Sequence, residues 1–485
     1  MARHLLTPPG AKDGHAPMML DTLFAFGLLL TPASQLRVAG LPVGPGELCL
    51  IIWVILILGR EAARANLVLT PALSRLLLFW SLFTLAQSLG TLTAKLIGDE
   101  HDPVWFMHDV MAYPLLAAIS CLTVVGPHPE ARLRRITWLL CGLGTPVIVA
   151  QLADAWGLYD LPSVDPMWWD QFRGWSSNPH QLAVLCMVLG FLSLHLAETS
   201  TSLGPRMGAL ACAIIPVYTG RITGSDSFTL IFVLAGPLLL AFKCRTWLFS
   251  RARQISFRSA FAWVIVLALP GLVISMAPLT YSIAVEASDL AKSMARDNPE
   301  QTREKTELRF ELWTQALKRG VESGMLGLGP GPHLAIPNSI VSARKLDTVH
   351  PEFVEHPKPS FVPNFEAHNT MLDLFTQGGL LVVLSFVWLV VTAFRSAYAT
   401  GGAGLPALLC GLCIYAIATF LLRHPIFWFV IAVCLVAEPV PANQLRSIAR
   451  GSALRDHARL ANAWSRSLAR PRPAYGASQL GSRPS

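Results

Sequence analysis

Long apolar runs separated by short polar connections dominate this chain. The hydrocarbon core of a bilayer, about 30 Å thick, asks for roughly 20 apolar residues per helix. Runs of that kind fall at 19–36, 43–59, 71–94, 107–126, 136–153, 180–197, 207–220, 225–242, 260–283, 369–394, 403–421 and 425–440. They predict an all-α protein, a polytopic transmembrane helical bundle of about twelve spans. The run 207–220 is short. The first run has the length of a signal-peptide core, but no small-residue cleavage site follows it. Two polar segments break the pattern: a loop at 284–367, too long for a plain connector, and a tail at 441–485 rich in Arg, Ala and Ser. The expected organisation is therefore an N-terminal segment 1–18, spans one to nine over 19–283, the large loop 284–367, spans ten to twelve over 368–440, and a basic, disordered tail 441–485. No sequence repeat relates the two halves, which weakens a transporter reading.

Composition agrees with the pattern. Of 485 residues, 53% are hydrophobic and 14% charged, too few charges to clothe several soluble cores. The net charge of +8 would suggest nucleic acid in a soluble protein, but here it resolves into loops. Arg60 and Arg64, then Arg132, Arg134 and Arg135, then Lys243, Arg245, Arg251, Arg253 and Arg258, and the arginines of the tail all follow even-numbered spans. Asp99, Glu100 and Asp102, and Asp154, Asp160, Asp165 and Asp170, follow odd-numbered ones. Positive residues favour the cytoplasmic side in short loops. Both termini are expected in the cytoplasm, the large loop outside it, and no nucleic-acid partner. The tail can touch anionic lipid headgroups or simply fix topology. The nine cysteines lie in or beside apolar runs and none in the large loop, so they read as packing residues rather than a disulfide framework.

Within the large loop, residues 302–324 follow helical spacing, with Leu308, Leu312, Ala316 and Gly320 on one face. Such a helix would lie on the membrane surface or cap the bundle. Gly327-Leu328-Gly329-Pro330-Gly331-Pro332-His333 is a breaker segment without the Gly-Lys-Ser/Thr ending of a phosphate-cradling loop.

Cations meet the expected outer face at Arg173, at Arg221, at Arg309 one turn before Trp313, at His368-Asn369, and at Arg423-His424. Each has an ordinary reading: helix-end anchoring for Arg173, snorkelling for Arg221, a solvated helix face for Arg309, helix-end hydrogen bonding for His368, and a structural role for Arg423 and His424. Trp168, Trp169 and Trp175 fit an interfacial aromatic belt or sugar stacking. The functional reading has these groups converge on a polyprenyl pyrophosphate donor. Guanidinium grips phosphate through two parallel hydrogen bonds and stays charged. Histidine, with an ordinary pKa of about 6.5, suits removal of an acceptor hydroxyl proton. No acidic metal cluster stands in an outer position, so neither a metal nor another cofactor is expected.

Three segments carry a family resemblance. They are Arg173-Gly174-Trp175-Ser176-Ser177-Asn178-Pro179-His180, then Arg309-Phe310-Glu311-Leu312-Trp313 with Gly327-Leu328-Gly329-Pro330-Gly331, then His368-Asn369-Thr370-Met371-Leu372-Asp373 with Gly378-Gly379-Leu380. In that order, around one large loop, they resemble the O-antigen ligase and polysaccharide polymerase superfamily of bacterial inner membranes. The resemblance implies joining of an undecaprenyl-pyrophosphate-linked glycan to a glycan or lipid A–core acceptor at the periplasmic face, with stereochemical inversion. His368 would then be the base and Arg309 would hold the pyrophosphate. Arg173 or Arg221 would assist, with Trp313 and Asn369 on the substrate side. One departure is visible: Gly224-Ser225-Asp226-Ser227 has aspartate where the family often has arginine. The alternatives are a lipid-linked glycan flippase or other polysaccharide-export transporter, which would want ionisable residues along a pathway, and a non-catalytic assembly protein.

Overall fold

The computed structural model describes residues 15–37, 43–64, 68–126, 128–162, 164–168, 171–251, 299–336 and 365–437. The expected span 260–283, much of the large loop and the basic tail lie outside the described residues. Described are α1 (His15–Leu30), α2 (Pro45–Arg64), α3 (Pro71–Ile97), α4 (Pro103–Thr123), α5 (Pro129–Ala155), α6 (Pro179–Thr199), α7 (Leu203–Ile222), α8 (Asp226–Arg251), α9 (Pro299–Glu322), α10 (Thr370–Ala399), α11 (Gly404–Tyr415) and α12 (Pro425–Val436). A short antiparallel hairpin pairs Met167 with Phe172 and Trp168 with Gln171.

Local chemistry sets the helix starts. Seven of these helices open on proline, which loses no hydrogen bond at the first position and presets φ. Side chains just ahead cap the free N–H groups: Thr70 accepts from Leu73 at 3.2 Å, Asp102 from Val104 at 2.9 Å and Asn178 from His180 at 2.8 Å.

By length and composition, α3, α4, α5, α6, α8 and α10 can cross a membrane. The runs 403–421 and 425–440 become short helices, α11 and α12, with a tight turn Leu421–Arg423 between them. At 1.5 Å per residue, α12 reaches only about 18 Å. Its twelve residues are all buried inside the bundle. Among the described residues six helices are thus long and apolar enough to span, against the twelve expected. The core is aromatic where α3, α4 and α12 meet: the Trp428 ring lies 4.5 Å from Trp80 and 5.4 Å from Phe79, and Tyr113 lies 4.8 Å from Phe83. α6 is buried all round from Leu182 to Ser193.

The basic residues that set the orientation gather at one end. There Asp21 pairs with Arg132 and Arg135 at 3.2 and 3.0 Å, Glu61 with Arg60 and Arg64 at 2.8 and 3.2 Å, and Glu198 with Lys243.

At the other end, α9 caps the bundle by packing on α10, where a Cβ on Gly320 would strike the Phe375 ring. The glycine segment that follows α9 is buried from Gly327 to Leu334 rather than lying on the surface. It threads between α3 and a kink in α10 at Gly379, whose φ of +62° and ψ of −159° suit glycine alone. The break frees carbonyls of α10. Thr376 O accepts from Leu328 N at 2.8 Å and Gln377 O from Gly329 N at 2.7 Å, while Leu380 N donates to Met325 O at 2.9 Å. A Cβ on Gly379 would lie 2.0 Å from Met325 O. Gly379→Ala should therefore lower stability by about 2 kcal/mol or more, read as a drop in the unfolding midpoint in detergent. Gly59→Ala, in α2 with nothing within 4 Å of its added Cβ, should leave that midpoint unchanged.

Candidate functional site

The start of α10 is built by two side chains. Asn369 caps it, accepting from Met371 N at 3.1 Å and Leu372 N at 3.3 Å. Asp373 reaches back one turn and accepts from Ala367 N at 2.7 Å and Asn369 N at 3.1 Å. Between these anchors His368 adopts φ +51°, a left-handed conformation for a non-glycine residue. Its side chain is exposed, and its ring meets Phe365 edge-on at 5.3 Å. The turn is further pinned where Leu334 and Phe365 exchange backbone hydrogen bonds of 3.0 and 2.9 Å.

α9 brings the next residues. Leu312, Ala316, Leu334 and Ala367 form a small core, with Leu308, Trp313, Phe365 and Leu372 packed against it. Trp313 therefore sits beside the histidine turn. Its Nε1 is buried and has no hydrogen-bond partner among the described residues. Arg309, one helical turn before Trp313, is exposed.

Arg423 completes this end. Its Nη2 lies 2.6 Å from Asp109 Oδ2 and its Nη1 pairs with Glu366, two residues before His368. Asp109 is fully buried and also accepts from Gly331 N at 3.1 Å, with His108 Nδ1 at 3.0 Å and Tyr113 Oη nearby at 3.3 Å. Tyr113 in turn donates to Gln377 at 2.6 Å. Burial works against a charge on Arg423, but Asp109 and Glu366 outweigh it and hold the guanidinium pKa well above its ordinary value. Its Nε is buried without a partner among the described residues. Thr370 ties α10 to the same turn, through Thr370 N to Ala416 O at 2.8 Å and Thr370 Oγ1 to Thr419 O at 2.6 Å.

The structure thus gathers His368, Asn369 and Trp313 at one turn, with Arg309 on the adjoining helix. Arg173 and Arg221 occupy neighbouring turns. Arg173 is buried and engaged: Nε donates to Asp165 O at 2.8 Å, Nη2 pairs with the Asp165 carboxylate at 3.1 Å, and the guanidinium lies 4.7 Å over Trp168. Arg221, exposed in the last turn of α7, donates to Thr229 at 3.1 Å. Gly224, just beyond it, leaves room for Gln171 of the hairpin. Ser225 Oγ lies 3.0 Å from His180 Nδ1 and 3.1 Å from Tyr415 Oη, and Asp226 is exposed at the start of α8.

Sequence reasoning missed Glu366 and Asp373 and gave Arg423 a minor place. Asp109 carried a signal, because an ionisable residue within an apolar span marks function or a buried partner. Among the described residues no group of three His, Cys, Asp or Glu side chains is placed to hold a metal ion.

The family model described as O-antigen ligase matches residues 210–387, less than half of the chain, from within α7 to within α10. That stretch contains Arg221, Arg309, Trp313, His368 and Asn369, and excludes Arg173 and Arg423. No curated protein and no solved structure matches the chain.

Two outcomes follow from the geometry. Arg423→Met should cost about 3 kcal/mol of stability, because it strands the Asp109 charge. Adding Asp109→Leu should recover part of that loss, measured as a double-mutant cycle of unfolding free energies. His333, buried beside Asp99 and Arg319, has its pKa pushed down to about 4, chiefly by burial. The unfolded imidazole, near 6.5, binds its proton first. Stability should therefore fall as pH drops from about 6.5 towards 4, and His333→Gln should flatten that acid limb in unfolding midpoints.

Proposed function

We propose, from the match of residues 210–387 to the O-antigen ligase family model, that the chain is a membrane glycan transferase. It joins a polyprenyl-pyrophosphate-linked glycan to an acceptor at the periplasmic face of a bacterial inner membrane. The acceptor is a growing glycan or lipid A–core. The observation that carries this reading is the histidine turn. His368 is the exposed residue of a turn over-determined by Asp373, Asn369 and the Leu334–Phe365 pair, and it lies within the matched segment. The clustering of basic residues at the opposite end of the bundle supports an outward-facing site, by the preference of positive loops for the cytoplasm.

His368, as a neutral imidazole, takes the proton of the acceptor hydroxyl while that oxygen bonds to the anomeric carbon of the donor. The anomeric C–O bond breaks, and its electron pair leaves on the pyrophosphate oxygen. Arg309 offsets the charge that develops there, with the exposed Arg221 assisting, while Arg173, paired with Asp165 and covered by Trp168, acts by holding its hairpin. Trp313 Nε1 and Arg423 Nε, buried and without partners among the described residues, have the polarity that phosphate oxygens satisfy. Asn369 acts by holding the helix start. Guanidinium supplies the charge compensation that other transferases draw from a divalent ion, so a chelator should leave the rate unchanged.

His368→Ala should lower glycan joining by about 10²- to 10⁴-fold, with the protein still inserted and folded, in membranes supplied with the lipid-linked glycan of the same cells. Activity at the wild-type level would remove His368 as the base. Arg309→Lys should also lower the rate, because an ammonium cannot copy a planar fork.

A further inference from the structure

An open cleft lies between the end of α3 and the outer face of α9. It holds about 560 Å³ and is lined by Asp99, Gln315, Lys318, Arg319, Glu322 and His333, together with Gly98, Glu100 and Ala335. No aromatic or large aliphatic side chain faces it, so it does not suit a lipid tail. Three carboxylates against one lysine and one arginine leave it net acidic, which disfavours a pyrophosphate.

Its lining holds two acceptors. Asp99 Oδ1 takes Arg319 Nη2 at 2.5 Å, while Asp99 Oδ2 is buried with no hydrogen-bond partner among the described residues. His333 Nε2 lies 2.8 Å from Gly329 O. A carbonyl oxygen only accepts, so that nitrogen carries the hydrogen, and in the neutral ring Nδ1 is left as an acceptor. Nδ1 stands 4.0 Å from Asp99 Oδ2, too far for a direct hydrogen bond. Asp99 Oδ2, buried without a hydrogen-bond partner among the described residues, and the His333 Nδ1 that faces it ask for neutral donors. Around them Gln315 both donates and accepts, Lys318 donates, and Glu322 accepts. Sugar hydroxyl groups, each a donor and an acceptor, match this lining.

The cavity wall runs on to the histidine. His333 precedes Leu334, which pairs with Phe365, three residues from His368. Four extended residue steps, His333 to Leu334 and Phe365 to His368, plus one strand spacing make that backbone path at most roughly 19 Å. We propose that this cavity is a saccharide-binding subsite, holding hydroxyl groups of a glycan whose reacting end lies at His368. The subsite deepens the transferase reading and rests on it. The glycan held there belongs either to the lipid-linked donor or to the acceptor.

Ala335→Trp, at the rim of the cleft next to Leu334, blocks it and Gln315→Ala removes a side chain that both donates and accepts; neither is a residue of the histidine turn itself. In the full-length protein, supplied with lipid-linked glycan and acceptor extracted from the same cells, each should raise KM roughly tenfold for one of the two substrates. The turnover number should stay within a factor of about two. A rise for the donor assigns the glycan to the donor, and a rise for the acceptor assigns it to the acceptor. Unchanged KM values for both substrates overturn the subsite. A binding arm separates this failure from failure of the transferase reading. Free oligosaccharide, released from the lipid-linked pool by mild acid, should show saturation-transfer signals with the wild-type protein and His368→Ala, and lose them with Ala335→Trp. Signals that persist in Ala335→Trp sink the subsite even where joining is normal. Joining that survives His368→Ala, with binding still lost in Ala335→Trp, sinks the proposed base and leaves the subsite standing.

Discussion

A backbone carbonyl released from a helix within an apolar solvent must find a donor inside the protein. That constraint organises the end of the bundle where the candidate residues lie. The kink at Gly379 frees Thr376 and Gln377 of α10, and Leu328 and Gly329 satisfy them. The glycine segment can come this close only because Gly90 of α3 has no side chain, where a Cβ would lie 2.5 Å from Gly329 N. In meeting the backbone's demand, the segment fixes where the end of α9 sits against α10. It thereby sets the position of Trp313 relative to His368, and of His333 relative to Asp99.

Charge follows the same economy at this end. Asp109, enclosed by α4, the glycine segment and the turn before α12, gathers Arg423, Gly331 and Tyr113. Arg423 then reaches Glu366, and Asp373 holds the next residues. A buried carboxylate and a buried guanidinium are each costly alone and tolerable together. The loop end that carries His368 is thus tied, through Arg423 and Asp109, to α4 far away in sequence. The histidine ring itself stays exposed. Rigid support beneath an accessible imidazole is the arrangement that proton abstraction in a fixed geometry requires.

Arg173 and Arg309 illustrate opposite outcomes for one residue type. Arg173 is folded into its own hairpin, neutralised by Asp165 and covered by Trp168. Arg309 stands exposed on α9. Both looked alike as cations expected at the outer face. Their difference comes from neighbours, and in the described residues the hairpin supplies a carboxylate eight residues away.

The helical, membrane-embedded character of the chain, most helix starts, the helix of the large loop and the histidine-asparagine opening of α10 were legible along the chain. These depend on periodicity, on proline and caps within a few residues, and on composition, all local properties of the chain. Three things were decided only by tertiary structure. The runs at 403–421 and 425–440 shortened into buried helices around a turn, because that turn carries Arg423 to Asp109. The breaker segment became a buried strut, because α10 is broken where it passes. Arg423 gained its place because its partner Asp109 lies 314 residues away. Pairings of that kind are chosen by the three-dimensional cost of leaving a charge or a carbonyl unmatched in an apolar medium, which no spacing along the chain records.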